Sequence, residues 1–188
     1  MSNLIEIKES TLSSDVILDL KYATNDNVTG KPFYNQAICY LDKDAFEKMD
    51  IACKLADSLG YKFRIFDAFR PLEGQQALWD FSPDSDFVSN PETGSCPHCR
   101  GVAIDLTLAD KNGNDLDMGT EFDDFTPLSH HANTDISEQA QKNRFLLLGI
   151  MTAAGWDNYK NEWWHYQLFN ARNYELLKDS DIKSGIIF

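Results

Sequence analysis

The run Val102-Ala103-Ile104-Asp105-Leu106-Thr107-Leu108 sets one carboxylate in the middle of residues that are otherwise apolar or β-branched. Gly101 precedes it and Asn112-Gly113-Asn114 marks a turn after Asp110, so the run reads as a β-strand. A carboxylate on such a strand carries a large desolvation penalty unless it is compensated. Two readings follow: Asp105 pairs with a neighbouring side chain, or it ligates a cation.

The surrounding pattern supplies the rest of a fold. Asp42 is placed to cap a helix whose apolar positions Phe46, Met49, Ala52, Cys53, Ala56 and Leu59 recur at helical spacing, with Gly60 to end it. Tyr61, Phe63 and Ile65 alternate with polar neighbours, which predicts a strand over 61–67 leading into Arg70-Pro71. A short helix is expected through Gln75 to Phe81, then exposed loop over 82–86 and 90–95. The pattern Phe145, Leu148, Met151, Thr152 predicts the longest helix, from Ile136 to Ala154 and stopped by Gly155, and Trp163 to Leu168 reads as a final strand. Helices and strands do not alternate at βαβ spacing, so the expected class is α+β with a largely antiparallel sheet flanked by helices.

With 188 residues, 43% of them hydrophobic, the chain can bury roughly 70% of its unfolded surface, and a single domain over 1–188 is expected. Twelve Phe, seven Tyr and four Trp exclude disorder for most of it. Thirty acidic against 17 basic side chains, a net charge of −13, argue against nucleic acid and anionic lipid as partners. The sequence shows neither a signal-peptide pattern nor an apolar stretch of ~20 residues, so a cytoplasmic protein without membrane contact is expected. Four scattered cysteines are expected to be reduced thiols, and the sequence leaves room for a homodimer.

Imidazole chemistry must use His98, His130, His131 or His165. His98 precedes Asp105 by seven residues, and His165 follows Glu162 by three. Two histidines and a carboxylate leave one position of a tetrahedral zinc open, the pattern of a catalytic site. Each residue alone also has a plain structural reading as a hydrogen-bonded interior group.

Five segments in order resemble the D-alanyl-D-alanine dipeptidases, zinc peptidases that share a fold with certain D,D-carboxypeptidases and the hedgehog signalling domain. They are Leu20-Lys21-Tyr22-Ala23-Thr24 running on to Pro32, Asp67-Ala68-Phe69-Arg70-Pro71, His98 through Thr107, Met118 through Asp123 with Ser129-His130-His131, and Glu162-Trp163-Trp164-His165. The resemblance implies one Zn2+ on His98, Asp105 and His165, with Glu162 as general base. It further implies Arg70 as oxyanion stabiliser, Asp123 as partner of the substrate's ammonium, and a small dipeptide, D-Ala-D-Ala, as substrate in cell-wall metabolism. Tyr22 is taken as a substrate contact on the same match, and Phe69, beside Arg70, as a pocket wall.

Residues three or seven apart on a regular strand face opposite sides, so His98 and Glu162 are expected on loops or bulges outside the strands carrying Asp105 and His165. The family's Ser-x-His is Cys96-Pro97-His98 here, which puts that serine's substrate contacts in doubt. Cys96-Pro97-His98-Cys99 also resembles a thiol-disulfide oxidoreductase motif, but a Pro/Gly loop precedes it and a strand follows, where that chemistry needs a helix N-terminus. A non-catalytic zinc module is a third reading, opposed by Glu162 and Arg70. Trp163 and Trp164 are expected to pack on the two faces of a strand, and His130-His131 to be either support for the site or a solvated pair.

Overall fold

The computed structural model describes residues 3–8 and 11–187. In chain order its elements are β1 (Leu4–Ile7), β2 (Val16–Leu18), β3 (Cys39–Asp42), α1 (Lys43–Ser58), β4 (Tyr61–Asp67), α2 (Leu72–Phe81), β5 (Ala103–Asp110), α3 (Glu138–Ala153), β6 (Asp157–Asn158), β7 (His165–Gln167) and α4 (Asp179–Ile182). β1 and β3 form an antiparallel pair, and the main sheet runs β2-β4-β5-β7-β6. Only β2 and β4 are parallel; the other three pairings are antiparallel, which makes the fold the expected α+β class.

β5 is the centre of this sheet because its sequence permits burial on both faces. Seven of its eight residues are buried, Asp105 among them. On one side β4 pairs with it from Tyr61↔Asp110 to Ile65↔Leu106, then slips so that Asp67 rather than Phe66 stands opposite Asp105. On the other side β7 sets His165 opposite Asp105. The slip is a β-bulge, and without it Asp67 would face the other side of the sheet.

α1 begins as the sequence predicts, with the Asp42 carboxylate accepting from the Asp44 N–H at 3.0 Å. Ala45, Met49, Ala52, Cys53 and Ala56 form its buried face, whereas Leu59 lies past the last turn and is exposed. α3 differs more. Its buried face is Ala140, Asn143, Arg144, Leu147, Ile150 and Met151, and Phe145 points to solvent at 59% exposure. The expected face was misplaced because Arg144 lies on the core side. Its guanidinium donates to the carbonyls of Met118, Leu128 and His130 and so fastens the long 117–131 segment to the helix. Nor is α3 longer than α1; each has 16 residues. The final strand is only His165–Gln167, and Trp163 and Trp164 lie in the turn before it, ring centroids 5.4 Å apart, edge to face.

His130 and His131 separate. His131 is buried against the Tyr166 ring, with both ring nitrogens lacking a hydrogen-bond partner. Burial, reinforced by the charge of Arg144, holds its pKa down at about 4. The unfolded chain takes up this proton near 6.5, so neutral His131 contributes fully above that pH. The contribution is lost as pH falls from 6.5 toward 4, by up to about 3 kcal/mol. Relative to H131F, the wild-type protein is expected to lose unfolding free energy in urea titrations between pH 7 and pH 4.5; parallel pH curves would exclude this.

Candidate active site

The register of three adjacent strands puts Asp67, Asp105 and His165 side by side. His98 reaches them from outside the sheet. It opens a single 3-10 turn, His98–Arg100, which Gly101 closes at φ 68°. Only glycine suits that position: a Cβ there would lie 2.6 Å from Leu4 Cδ2 and 3.0 Å from the Asp42 nitrogen. Glu162 precedes β7 in the turn at 159–164, its N–H donating to Tyr159 O. Both residues therefore lie outside the regular strands, and each irregular approach aims a side chain that strand periodicity would turn away.

The two imidazoles are fixed by their outer nitrogens. His98 Nδ1–H donates to Ala68 O at 2.6 Å, and His165 Nε2–H donates to the Gln167 side-chain oxygen at 3.2 Å. In the neutral rings this leaves lone pairs on His98 Nε2 and His165 Nδ1, which face each other at 3.1 Å. Asp105 completes the triangle, 3.0 Å from His165 Nδ1 and 3.3 Å from His98 Nε2. Three acceptors at this spacing with no proton between them repel one another unless a cation sits among them. Tetrahedral zinc ligands at about 2.0–2.1 Å stand about 3.3 Å apart, so the spacing and donor types fit that ion. Ala68 O and Gln167 supply the outer contacts that orient metal-binding imidazoles. Among the described residues this is the one group of three or more His, Cys, Asp or Glu side chains gathered closely enough to hold a metal.

Charge balance points the same way. Four carboxylates, Asp67, Asp105, Asp123 and Glu162, stand in or against this site with the single guanidinium of Arg70. Arg70 is 5% exposed, donates from Nε to Asp67 at 2.9 Å, holds Nη2 3.5 Å from Asp105, and lies over the Tyr22 ring. Burial and the neighbouring Asp105 and Asp123 push Glu162 well above the usual carboxylate range. Burial, with Asp105 adding to it, takes Asp123 up to about 8. Asp123 accepts from the Tyr22 hydroxyl at 3.0 and 3.2 Å, on a residue held at φ 62°.

These groups face a cavity of about 200 Å3. That is below the ~300–1,000 Å3 of sites for drug-sized ligands, and it suits a small substrate. Tyr22, Arg70, Asp123 and Glu162 line it beside His98, Asp105 and His165. Phe69 does not. It is 1% exposed and packs with Tyr22, Tyr34 and Leu78 in a second apolar core, on the irregular stretch after β4 that turns the Arg70 side chain to the cavity and the Phe69 ring into the interior. Trp164, expected only to pack, also reaches the cavity wall, with its ring edge to face on Phe122. Neither His130 nor His131 belongs to the ligand group.

Cys96, which opens the Cys96-Pro97-His98 segment, turns away from the cavity and donates from Sγ to Asn90 O, while Ser95 and Pro97 line the wall. All four cysteines are buried free thiols, and the motif at 96–99 runs into a 3-10 turn and then β5. The Cys99 thiol and Ser89 hold the Cys96 pKa down at about 6, but both sulfurs are wholly buried, and disulfide exchange needs a sulfur that a partner can reach. Asp67 and Gln75 were not singled out by the sequence. Asp67 shows a signal in retrospect, an acid three residues before Arg70 at a strand end, but Gln75 shows none.

A family profile described as D-ala-D-ala dipeptidase, of the M15 peptidases, matches residues 4–181. The D-alanyl-D-alanine dipeptidase of Escherichia coli (strain K12) is 42% identical over 180 residues, 95% of this chain and 93% of that protein. That of Enterococcus faecium is 34% identical over 170 residues, 80% of this chain and 84% of the relative, and that of Streptomyces coelicolor is 32% identical over 177 residues, 84% and 88%.

The ligand triangle predicts a measurable linkage between metal and stability. Zinc added to metal-stripped protein is expected to raise the thermal midpoint, because it binds the folded state preferentially. H98A and D105N are expected to abolish that rise. An equal rise in either variant would place the metal elsewhere.

Proposed function

The chain belongs to the M15 peptidase family of D-Ala-D-Ala dipeptidases, and from that premise we propose that it hydrolyses the peptide bond of D-Ala-D-Ala, using a zinc ion held by His98, Asp105 and His165. The observation that carries this reading is the convergence of three lone-pair donors, spaced for a tetrahedral cation, with Glu162 beside them. When bound, zinc supplies Lewis-acid polarisation of the scissile carbonyl and makes water acidic enough to attack near neutral pH.

The chain's own residues do the rest. Glu162 Oε2, 3.8 Å from His165 Nδ1, accepts the proton of the attacking water and hands it to the leaving amine nitrogen. Arg70 keeps a fixed positive charge at the cavity, where it stabilises negative charge growing on the carbonyl oxygen. Asp67 and Tyr22 hold that guanidinium in place before the reaction. Asp123 receives the substrate's ammonium, and the Tyr22 hydroxyl orients its carboxylate. A small cavity closed at one end by a carboxylate measures a dipeptide from its amino terminus. Action on cell-wall dipeptides in the cytoplasm is part of the same proposal; among the described residues no helix is long and apolar enough to cross a membrane.

Steady-state hydrolysis of D-Ala-D-Ala and L-Ala-L-Ala by the zinc-loaded protein tests this. The D,D dipeptide is expected to be cleaved and the L,L dipeptide to be a far poorer substrate; equal rates would sink the stereochemical assignment. E162Q is expected to keep its zinc and lose about 10²- to 10⁴-fold in kcat. Unchanged turnover would remove Glu162 from the mechanism.

For Asp123 the expected signature is in binding. D123N is expected to raise KM about 10- to 100-fold, the loss of one hydrogen bond to a charged group, with zinc content unaltered. An unaltered KM would take Asp123 out of the ammonium site.

A further inference from the structure

Gln75 is 1% exposed, sits in the first turn of α2 and uses both ends of its amide. Its oxygen accepts from Arg70 Nη1 at 3.1 Å, and its nitrogen donates to Ser89 O at 2.6 Å. Ser89 belongs to the 82–96 segment, whose Ser85, Phe87, Ser89 and Ser95 form one wall of the cavity. The far side of that segment is tied to the turn bearing Glu162: Asp86 O accepts from the Tyr159 hydroxyl and from Asn161 Nδ2. The segment therefore spans from the arginine to the base, and Gln75 is its link at the arginine end.

We propose that Gln75 is a positioning residue that couples the aim of the Arg70 guanidinium to the seating of the 82–96 wall, so that the oxyanion-stabilising charge is correctly placed only when the wall is docked. The proposal rests on the role given to Arg70 above. The two ends of the amide do both jobs at once, accepting from the guanidinium and donating to the carbonyl; an ionised carboxylate has no proton to give Ser89, and a thioether has no donor at all. The approach is also tight. A Cβ at Gly74 would lie 3.2 Å from Tyr34 Cε1 and 3.3 Å from Arg70 Cγ, so α2 packs directly on the arginine's stem and delivers the next residue's amide at a fixed distance.

Two variants separate the halves of the device. Q75M keeps the volume and removes both bonds. It is expected to lower kcat for D-Ala-D-Ala about 10- to 100-fold through misplacement of Arg70, and to speed amide hydrogen exchange at residues 89–96. Zinc content is expected to stay near wild type, and the thermal midpoint to fall by several degrees at most, the effect of two buried groups losing their partner. Q75E restores an acceptor for Arg70 but sets a carboxylate against Ser89 O. It is expected to recover most of kcat over Q75M while exchange at 89–96 stays fast and KM rises.

Four outcomes overturn the proposal: Q75M within twofold of wild type in kcat, unchanged exchange at 89–96 in Q75M, Q75E no better than Q75M in kcat, or loss of kcat and thermal midpoint together with normal exchange. Failure of the wild-type protein to cleave D-Ala-D-Ala would instead overturn the substrate reading. The exchange measurement needs no substrate and would still decide whether Gln75 seats the wall.

Discussion

One buried carboxylate in the central strand dictates the rest of the site. Asp105 is 2% exposed on a strand whose neighbours in sequence are wholly buried. Desolvation of such a charge is compensated only by close partners of opposite sign or by hydrogen-bond donors. Here the imidazoles that flank it present lone pairs, because backbone and amide acceptors take their protons on the outer side. Arg70 stands at 3.5 Å but is already committed to Asp67. The arrangement is therefore one cation short. The zinc ion of the proposed reaction would close that deficit, and the ammonium proposed to bind at Asp123 would answer a second.

Rigid and irregular backbone divide the labour. The sheet supplies Asp67, Asp105 and His165 as cross-strand neighbours whose spacing is set by the ladder. Residues that must approach from another direction come from non-repetitive backbone: His98 from a 3-10 turn closed by a left-handed glycine, Glu162 from the turn before β7, Asp123 from a loop residue in the left-handed region. Buried Arg144 holds that loop's continuation through three backbone carbonyls. The irregular segments are thus fixed by polar contacts where the strands are fixed by register.

The same division explains what could be read from sequence. α1, β4 and β5 follow from capping, alternation and apolar runs, because local preference and burial agree there. That His98, Asp105, Glu162 and His165 would gather was legible through their motif, and the two that parity sends off the strands lie in turns. The face of α3 was not legible, since a helix that buries Arg144 and exposes Phe145 inverts the usual hydrophobic pattern. Phe69 was misplaced because adjacency to Arg70 does not fix direction on the irregular stretch after β4, where neighbouring side chains diverge. Gln75 was invisible for a different reason. Its value lies in bonds to two segments brought together only by the fold.

The proposed chemistry requires a metal at one defined point. Anomalous diffraction at the zinc edge, on crystals of zinc-equilibrated protein, measures it directly. One peak is expected, bonded to His98 Nε2, His165 Nδ1 and the Asp105 carboxylate, with one position left open toward Glu162. Absence of a peak at that triangle, or a peak bonded to the Cys96 and Cys99 sulfurs, would contradict it.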